Sequence, residues 1–521
     1  MQINDILLQF SFINYFLLIY MSTPSTIKPD PYTLAMPHEF VLENGLRVVT
    51  LSTPTLKSAD VKVVFDTGAR DDPEGEEGTA HFLEHMMFNG TYTRMGSPKG
   101  ILPIMQQVAR WGGSFNAQTA WNKTEYSVSD VLNCTTPKGE ERKYLADALD
   151  LVLEIIQHPR IKQDDIERER SVIQTELATQ VKPMNTAIVY SGLQSAVPEV
   201  RPIHTIGTAE SIDKIDAKKI REFWNKHYTP SNATVFIQGQ GSDKELLKMV
   251  TDRLTILGAS EDNGMVVSPS RRHPAFSPGE SRMTVDEAPQ AVYQFAWDLA
   301  SRQQAKMNVR EDRTAVVMCS LISQYLMDHM REKDGLVYNA GCGVDGFGNI
   351  QIHVASDKEP EKILQSLGRA VRDFLRVPNK ELEQLFDHTK ISISNSSLHQ
   401  LDNIKGNSFA KAYEAVNGAN SHFIEDNVNA LEAVSLQDVQ ELAGRVFGKP
   451  FALGLAGNPA LLKQVPNKEQ VAQILDMPVN DKPVLGFLKT DVIPYDPRHG
   501  ETKPLPNPIN HRRGTSAVAL S

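Results

Sequence analysis

His81, Glu84 and His85 crowd into the stretch GTAHFLEHMMFNGT, residues 78–91, which otherwise reads as a buried helix. At about 100° per residue, Phe82, Leu83, Met86 and Met87 span one apolar face, and the three titratable residues lie on the opposite one. Positions i and i+4 are neighbours on a helix surface. His81 and His85 can therefore aim two imidazoles at one point, with Glu84 beside them. Zinc takes imidazole nitrogen at about 2.0–2.1 Å, and its catalytic sites keep one position open. A nearby carboxylate that does not ligate the metal can serve as general base. The spacing H-x-x-E-H reverses the commoner zinc-protease helix. The ordinary reading competes with this one: a histidine beside an apolar stripe is more often a satisfied core residue, and the motif is short. A catalytic zinc site also needs a third protein ligand.

The stretch DDIERERSVIQTEL, residues 164–177, offers one. Ile166, Ile173 and Leu177 form an apolar stripe at helical spacing. Glu169 and Glu176 are two turns apart and nearly superimpose at the edge of that stripe. Charged residues on a helix ordinarily form a solvated face. For this helix alone that reading prevails, although carboxylates stacked beside a core face also suggest a cation or a histidine as partner. Glu176 is the expected third ligand. Glu169 is expected to orient a ligating imidazole through its other N–H.

Such a site needs elements to hold it. FVLENGLRVVTL, residues 40–51, reads as a hairpin turning at Asn44-Gly45, and ADVKVVFDTGA, residues 59–69, as a further strand. The H-x-x-E-H helix follows, then a helix in ILPIMQQVARWGG, residues 101–113, that stops at glycine. YLADALDLVLEIIQH, residues 144–158, has helical periodicity. Strands and helices are segregated, an α+β order. Residues 258–280 are rich in Gly, Ser and Pro and read as a linker. Beyond it the chain echoes itself. A helix, a break and an apolar strand end at Gly239 in residues 211–239 and again at Gly457 in residues 433–457. Two similar domains are the expectation, and only the first carries H-x-x-E-H. GCGVDG, residues 341–346, matches a nucleotide-loop pattern, but the alternating NIQIHVAS after it reads as a strand, so no helix N-terminus would meet a phosphate.

Composition narrows the class. A chain of 521 residues, 40% hydrophobic and 23% charged, is ordinary for a globular protein of several domains. A net charge of −10 argues against general nucleic-acid binding. The three cysteines, Cys134, Cys319 and Cys342, make no framework and point to a reducing compartment, with the cytoplasm expected. The apolar stretch at residues 7–20 is short for a membrane span and has no Lys or Arg before it. Membrane association is not expected. An overextended start, with Met21 as initiator, or a disordered tail is the expected reading of residues 1–35. From about residue 476 prolines become frequent, marking an extended tail of unknown role.

Together, GTAHFLEHMMFNGT and ERERSVIQTEL resemble the pitrilysin/insulinase peptidases, in particular the branch holding mitochondrial processing peptidase and bacterial processing-type proteases. The resemblance runs from about residue 36 to 460. It implies His81, His85 and Glu176 as ligands of one zinc ion per chain and Glu84 as catalytic base. GGSFNAQTAWNKTEYSV, residues 112–128, resembles the family's edge strand, whose Asn116 and Ala117 would lie against bound peptide. REKDGLVY, residues 331–338, resembles a second-domain motif whose Arg331 and Tyr338 would reach the active site. The gap from His85 to Glu176 is longer than usual in this branch, and the extra residues are expected as a loop within NCTTPKGEERKY, residues 133–144. The family fold implies two homologous α+β domains, each a mainly antiparallel sheet with packed helices, facing each other across a cavity. On this chain they are expected at residues 36–260 and 281–475, joined by a linker at 261–280 and followed by a tail at 476–521.

The expectation is therefore a zinc endopeptidase that acts on peptides or unfolded polypeptide, as a monomer or homodimer, or in a heterodimer with a related subunit. The competing readings are a non-catalytic scaffold or regulatory subunit of the same family, and another zinc hydrolase such as an amidase or deaminase. The intact ligand set and base speak against the first, and the Asn116–Ala117 strand with the Arg331/Tyr338 pair against the second.

Overall fold

The computed structural model describes residues 37–478, apart from 55, 90–100, 136, 199–203, 255–256, 258–274, 300–308, 346–347, 377–379 and 403–422. The expected N-terminal tail, most of the linker and nearly all of the C-terminal tail lie outside the described residues.

The Asn44-Gly45 turn joins β1 (His38–Val41) to β2 (Arg47–Ser52) as the antiparallel hairpin expected from sequence. β3 (Ser58–Phe65) follows, and Val61, Val63 and Phe65, at period two, enter the core. After helices α1 (Thr79–Met87) and α2 (Ile101–Arg110) come β4 (Ser114–Thr119), β5 (Thr124–Thr135) and β6 (Glu141–Lys143). Helices α3 (Leu145–Gln157), α4 (Gln163–Gln180) and α5 (Pro183–Ala196) precede β7 (Ala233–Gly239). The first sheet runs β1-β2-β7-β3-β5-β4, with β6 paired to β5. Only β2 and β7 pair in parallel. β4 is therefore an edge strand.

The second sheet holds β8 (Glu280–Thr284), β9 (Ala291–Trp297), β10 (Asn339–Val344), β11 (Ile350–Ser356) and β12 (Ala452–Gly457). Its order is β10-β11-β9-β12-β8, and only β8 and β12 are parallel. Reading β8, β9, β10, β11 and β12 as counterparts of β2, β3, β4, β5 and β7 reproduces the order of the first sheet strand for strand. The repeat is thus a duplicated topology. Residues 341–344 of GCGVDG fall on β10 and β11 follows as a strand, so no helix opens there among the described residues.

Two features differ from expectation. Residues 133–144 are a strand pair rather than a plain loop: β5 runs on to Thr135, and Asn133, Cys134 and Thr135 face Lys143, Arg142 and Glu141. The β6 side chains are all exposed, so backbone hydrogen bonds rather than burial hold this extension. The second feature is that the two halves interlock. α5 lies on the reverse face of the second sheet, where Ser191 Oγ donates to Gln294 Oε1. Ala196 packs there with Ala296 and Ala452. A Cβ on Gly454 would sit 2.8 Å from the Ser191 carbonyl, and one on Gly192 would sit 2.9 Å from Gln294. Small residues on both sides let helix and strand backbones approach. The second sheet's other face packs into a large core, led by Phe295, Trp297, Phe447 and Phe451.

Candidate metal centre

Helix α1 is buried almost all round. Phe82, Leu83, Met86 and Met87 are inaccessible to solvent, each contributing roughly 1.5–3 kcal/mol by burial. That anchors the face bearing His81 and Glu84, which are each only 8% exposed. The helix entrance is built by contacts remote in sequence. Asp72 accepts hydrogen bonds from the Gly78 and Ala80 N–H groups at 2.7 and 2.8 Å, satisfying the free donors of the first turn. Burial raises the Asp72 carboxyl to about 8, while those two bonds pull it down. Gly78 has φ +96°, and a Cβ there would meet the Ile206 carbonyl oxygen at 2.2 Å. Gly207 reciprocates, with φ +89° and the Glu77 carbonyl 2.1 Å from any Cβ. The turn through residues 204–207 is thus locked against the start of α1.

α4 brings the carboxylates. Ile166 and Ile173 are buried, as their spacing predicts, and Arg168 donates to Asn89 Oδ1 at 2.6 Å, tying α4 to the end of α1. Glu176 Oε2 lies 3.8 Å from His81 Nε2 and 3.3 Å from His85 Nε2. Donor atoms of His81, His85 and Glu176 all lie within 4.8 Å of one another. A tetrahedral zinc with bonds near 2.1 Å has donors about 3.4 Å apart, so two imidazole nitrogens and a carboxylate oxygen in this arrangement fit that ion. Glu169 Oε2 lies 3.6 Å from His85 Nδ1, the nitrogen that faces away from Glu176. His81 Nδ1 is buried and has no hydrogen-bond partner among the described residues.

Electrostatics split the two histidines. Burial, helped by neighbouring His85, lowers His81 to about 4. Burial also acts to lower His85, but contacts with Glu169 and Glu176 overcome it and raise the ring to about 9. Glu84 is raised by burial, against a 2.6 Å hydrogen bond donated by Thr119 Oγ1 to its Oε2. Thr119 sits on β4, two residues after Ala117 and so on the same face. Asn116 is exposed on the other face, opposite Ser127, and Ala117 stands opposite Tyr126.

The structure therefore gathers His81, Glu84, His85, Glu169 and Glu176, and places the β4 edge beside them through Thr119. It does not bring Arg331 and Tyr338 to them. The Arg331 guanidinium lies over the Tyr338 ring at 5.3 Å and near Glu332, and Tyr338 is 67% exposed. Neither contacts the cluster among the described residues. Sequence reasoning gave no role to Asp72, Thr119 or His204. His204 belongs to the turn packed against the start of α1 and lies within electrostatic reach of His81 and Glu176. Its backbone is hydrogen-bonded to Tyr190, which lines a cavity of about 1130 Å³ between residues 181–190 and 283–289 of the two halves.

Two family models match the chain: insulinase (peptidase family M16) over residues 47–201, and the peptidase M16 inactive domain over residues 214–386. The first span contains the whole His–His–Glu cluster and the second contains Arg331 and Tyr338. The probable mitochondrial-processing peptidase subunit beta of Arabidopsis thaliana is 29% identical over 287 residues, 54% of this chain and 51% of that relative. An uncharacterized zinc protease of Mycobacterium tuberculosis is 25% identical over 463 residues, 85% of this chain and 98% of the relative. The crystal structure of a protease from Helicobacter pylori superposes with a TM-score of 0.67 at 17% identity, covering 82% of this chain and 100% of that one.

Proposed function

This chain belongs to the insulinase family, peptidase family M16, and we propose that it is a zinc-dependent endopeptidase acting on peptides or unfolded polypeptide segments. The observation that carries this reading is the convergence of His81, His85 and Glu176 on one point, with the Glu84 carboxylate held beside it by Thr119. In this reading those three residues hold one zinc ion, and Glu169 fixes the His85 ring through Nδ1. Zinc, when bound, supplies a Lewis acid that polarises a carbonyl and makes water more acidic.

The remaining chemistry is the chain's own. Glu84 takes the proton of the attacking water and returns it to the departing amine. Burial, which raises its pKa, brings it nearer the range in which a carboxyl can do both. The Thr119 bond occupies Glu84 Oε2 and orients the carboxylate. The outer edge of β4, at Asn116 and Ala117, offers backbone groups to an extended peptide, which would add as a further strand. Arg331 and Tyr338 are assigned to the substrate from the second half. Tyr338 Oη makes no hydrogen bond among the described residues, so it has a donor to offer. A monomer or homodimer suffices, because one chain carries every assigned residue. The cytoplasm is the proposed compartment, supported by the free cysteines Cys134, Cys319 and Cys342. No helix among the described residues is long and apolar enough to cross a membrane.

Glu84→Gln tests the central role. The carboxamide is nearly isosteric but cannot accept the proton. The variant is expected to keep its zinc while peptide cleavage falls about 10²-fold or more. Cleavage near the wild-type rate would remove Glu84 as the base.

A further inference from the structure

His204 belongs to the turn that Gly78 and Gly207 lock against the first turn of α1, where His81 stands. Everything about this residue except one atom is tied down. Its carbonyl accepts from Gly207 N–H at 2.7 Å, and its backbone is also bonded to Tyr190. Its Nδ1 accepts from Ile206 N–H at 3.2 Å. A ring nitrogen that accepts is unprotonated, so in the neutral imidazole the proton sits on Nε2. Nε2 makes no hydrogen bond or ion pair among the described residues, and the ring is half-buried rather than enclosed.

The result is a fixed, partly open N–H donor on the turn that packs against the start of α1, the helix that bears His81 and His85. It stands in the catalytic half, whereas Arg331 and Tyr338 make no contact with that cluster. We propose that His204 is a substrate-binding residue whose Nε2–H donates a hydrogen bond to the scissile peptide carbonyl and holds the negative charge that gathers on that oxygen during attack. No proton is transferred by His204; it supplies a positioned dipole where charge develops. The inference rests on the peptidase reading and gives it an oxyanion donor that needs no movement of the second half.

Two amide substitutions separate this role from a purely structural one. In His204→Asn the side-chain oxygen can take the place of Nδ1 and keep the bond from Ile206, but nothing replaces Nε2–H. In His204→Gln the amide NH₂ can take the place of Nε2–H, while the acceptor for Ile206 is lost. His204→Asn is expected to keep zinc content and melting temperature while kcat falls about 10²–10³-fold. His204→Gln is expected to recover most of kcat with a lower melting temperature. Binding of a phosphinic peptide, a mimic of the tetrahedral intermediate, to the zinc-loaded protein should weaken in the same order, by about 10²-fold in His204→Asn. The reverse order, with His204→Asn normal and His204→Gln impaired, would show that only the turn matters and overturn the proposal. Wild-type protein that cleaves no peptide would instead overturn the peptidase reading, and this inference with it.

Discussion

At neutral pH the metal-free protein holds a proton on His85, raised to about 9, and none on His81, lowered to about 4. A metal ion needs both rings unprotonated. Zinc binding near pH 7 should therefore release about one proton per site, and apparent affinity should rise with pH until it levels off above about 9. Calorimetry in buffers of different ionisation enthalpy reads this number directly. In Glu169→Gln the contact that helps raise His85 is gone, so proton release should fall and zinc affinity weaken by about 10–100-fold. Zero release by the wild-type protein would mean that His85 is not the protonated ligand. Helical spacing put His81 with His85 on one helix and Glu169 with Glu176 on another, but spacing left a solvated face open for the carboxylates, and it was the family resemblance that singled them out. Asp72, Thr119 and His204 were not legible. Each acts across a gap set by the fold, as in the 35-residue separation of Thr119 from Glu84, and no local period marks such a contact.

Elements were more legible than the joints between them. The hairpin at Asn44-Gly45, the helices over 101–110 and 145–157, and the strand bearing Asn116 follow from turn residues and apolar periods. The β5–β6 extension was missed because its strand is polar and exposed throughout, so only backbone pairing reveals it. The lock between Gly78 and Gly207 was missed for a related reason: a glycine at positive φ looks in sequence like any loop glycine. It is nonetheless what sets α1 against the His204 turn. Gly78→Ala would combine an unfavourable backbone conformation with a Cβ 2.2 Å from a carbonyl oxygen. A loss of roughly 3 kcal/mol or more is expected, the sum of backbone strain and overpacking. Denaturant unfolding measures it. A variant within about 0.5 kcal/mol of wild type would mean that the entrance to α1 yields easily.

For the whole molecule, the repeated helix–break–strand pattern announced two similar halves, and the matched strand orders of the two sheets agree with it. What the pattern could not announce is that α5, from the first half, covers the reverse face of the second sheet. Its buried face is made of Ala187, Ser191, Gly192, Ser195 and Ala196, residues too small to stand out as an apolar stripe. α5 follows directly on α4, so the element that carries Glu176 is braced on the second half. The His–His–Glu cluster and the second half are thus parts of one structure, and the zinc reading has to be tested on the full chain. The most direct measurement is elemental analysis of the purified protein, coupled to cleavage of an unfolded polypeptide before and after chelation. One zinc per chain is predicted, with cleavage lost on chelation and restored by zinc, and with both zinc and cleavage absent from His81→Ala. Cleavage that survives complete removal of the metal, or a full zinc complement in His81→Ala, would contradict the account.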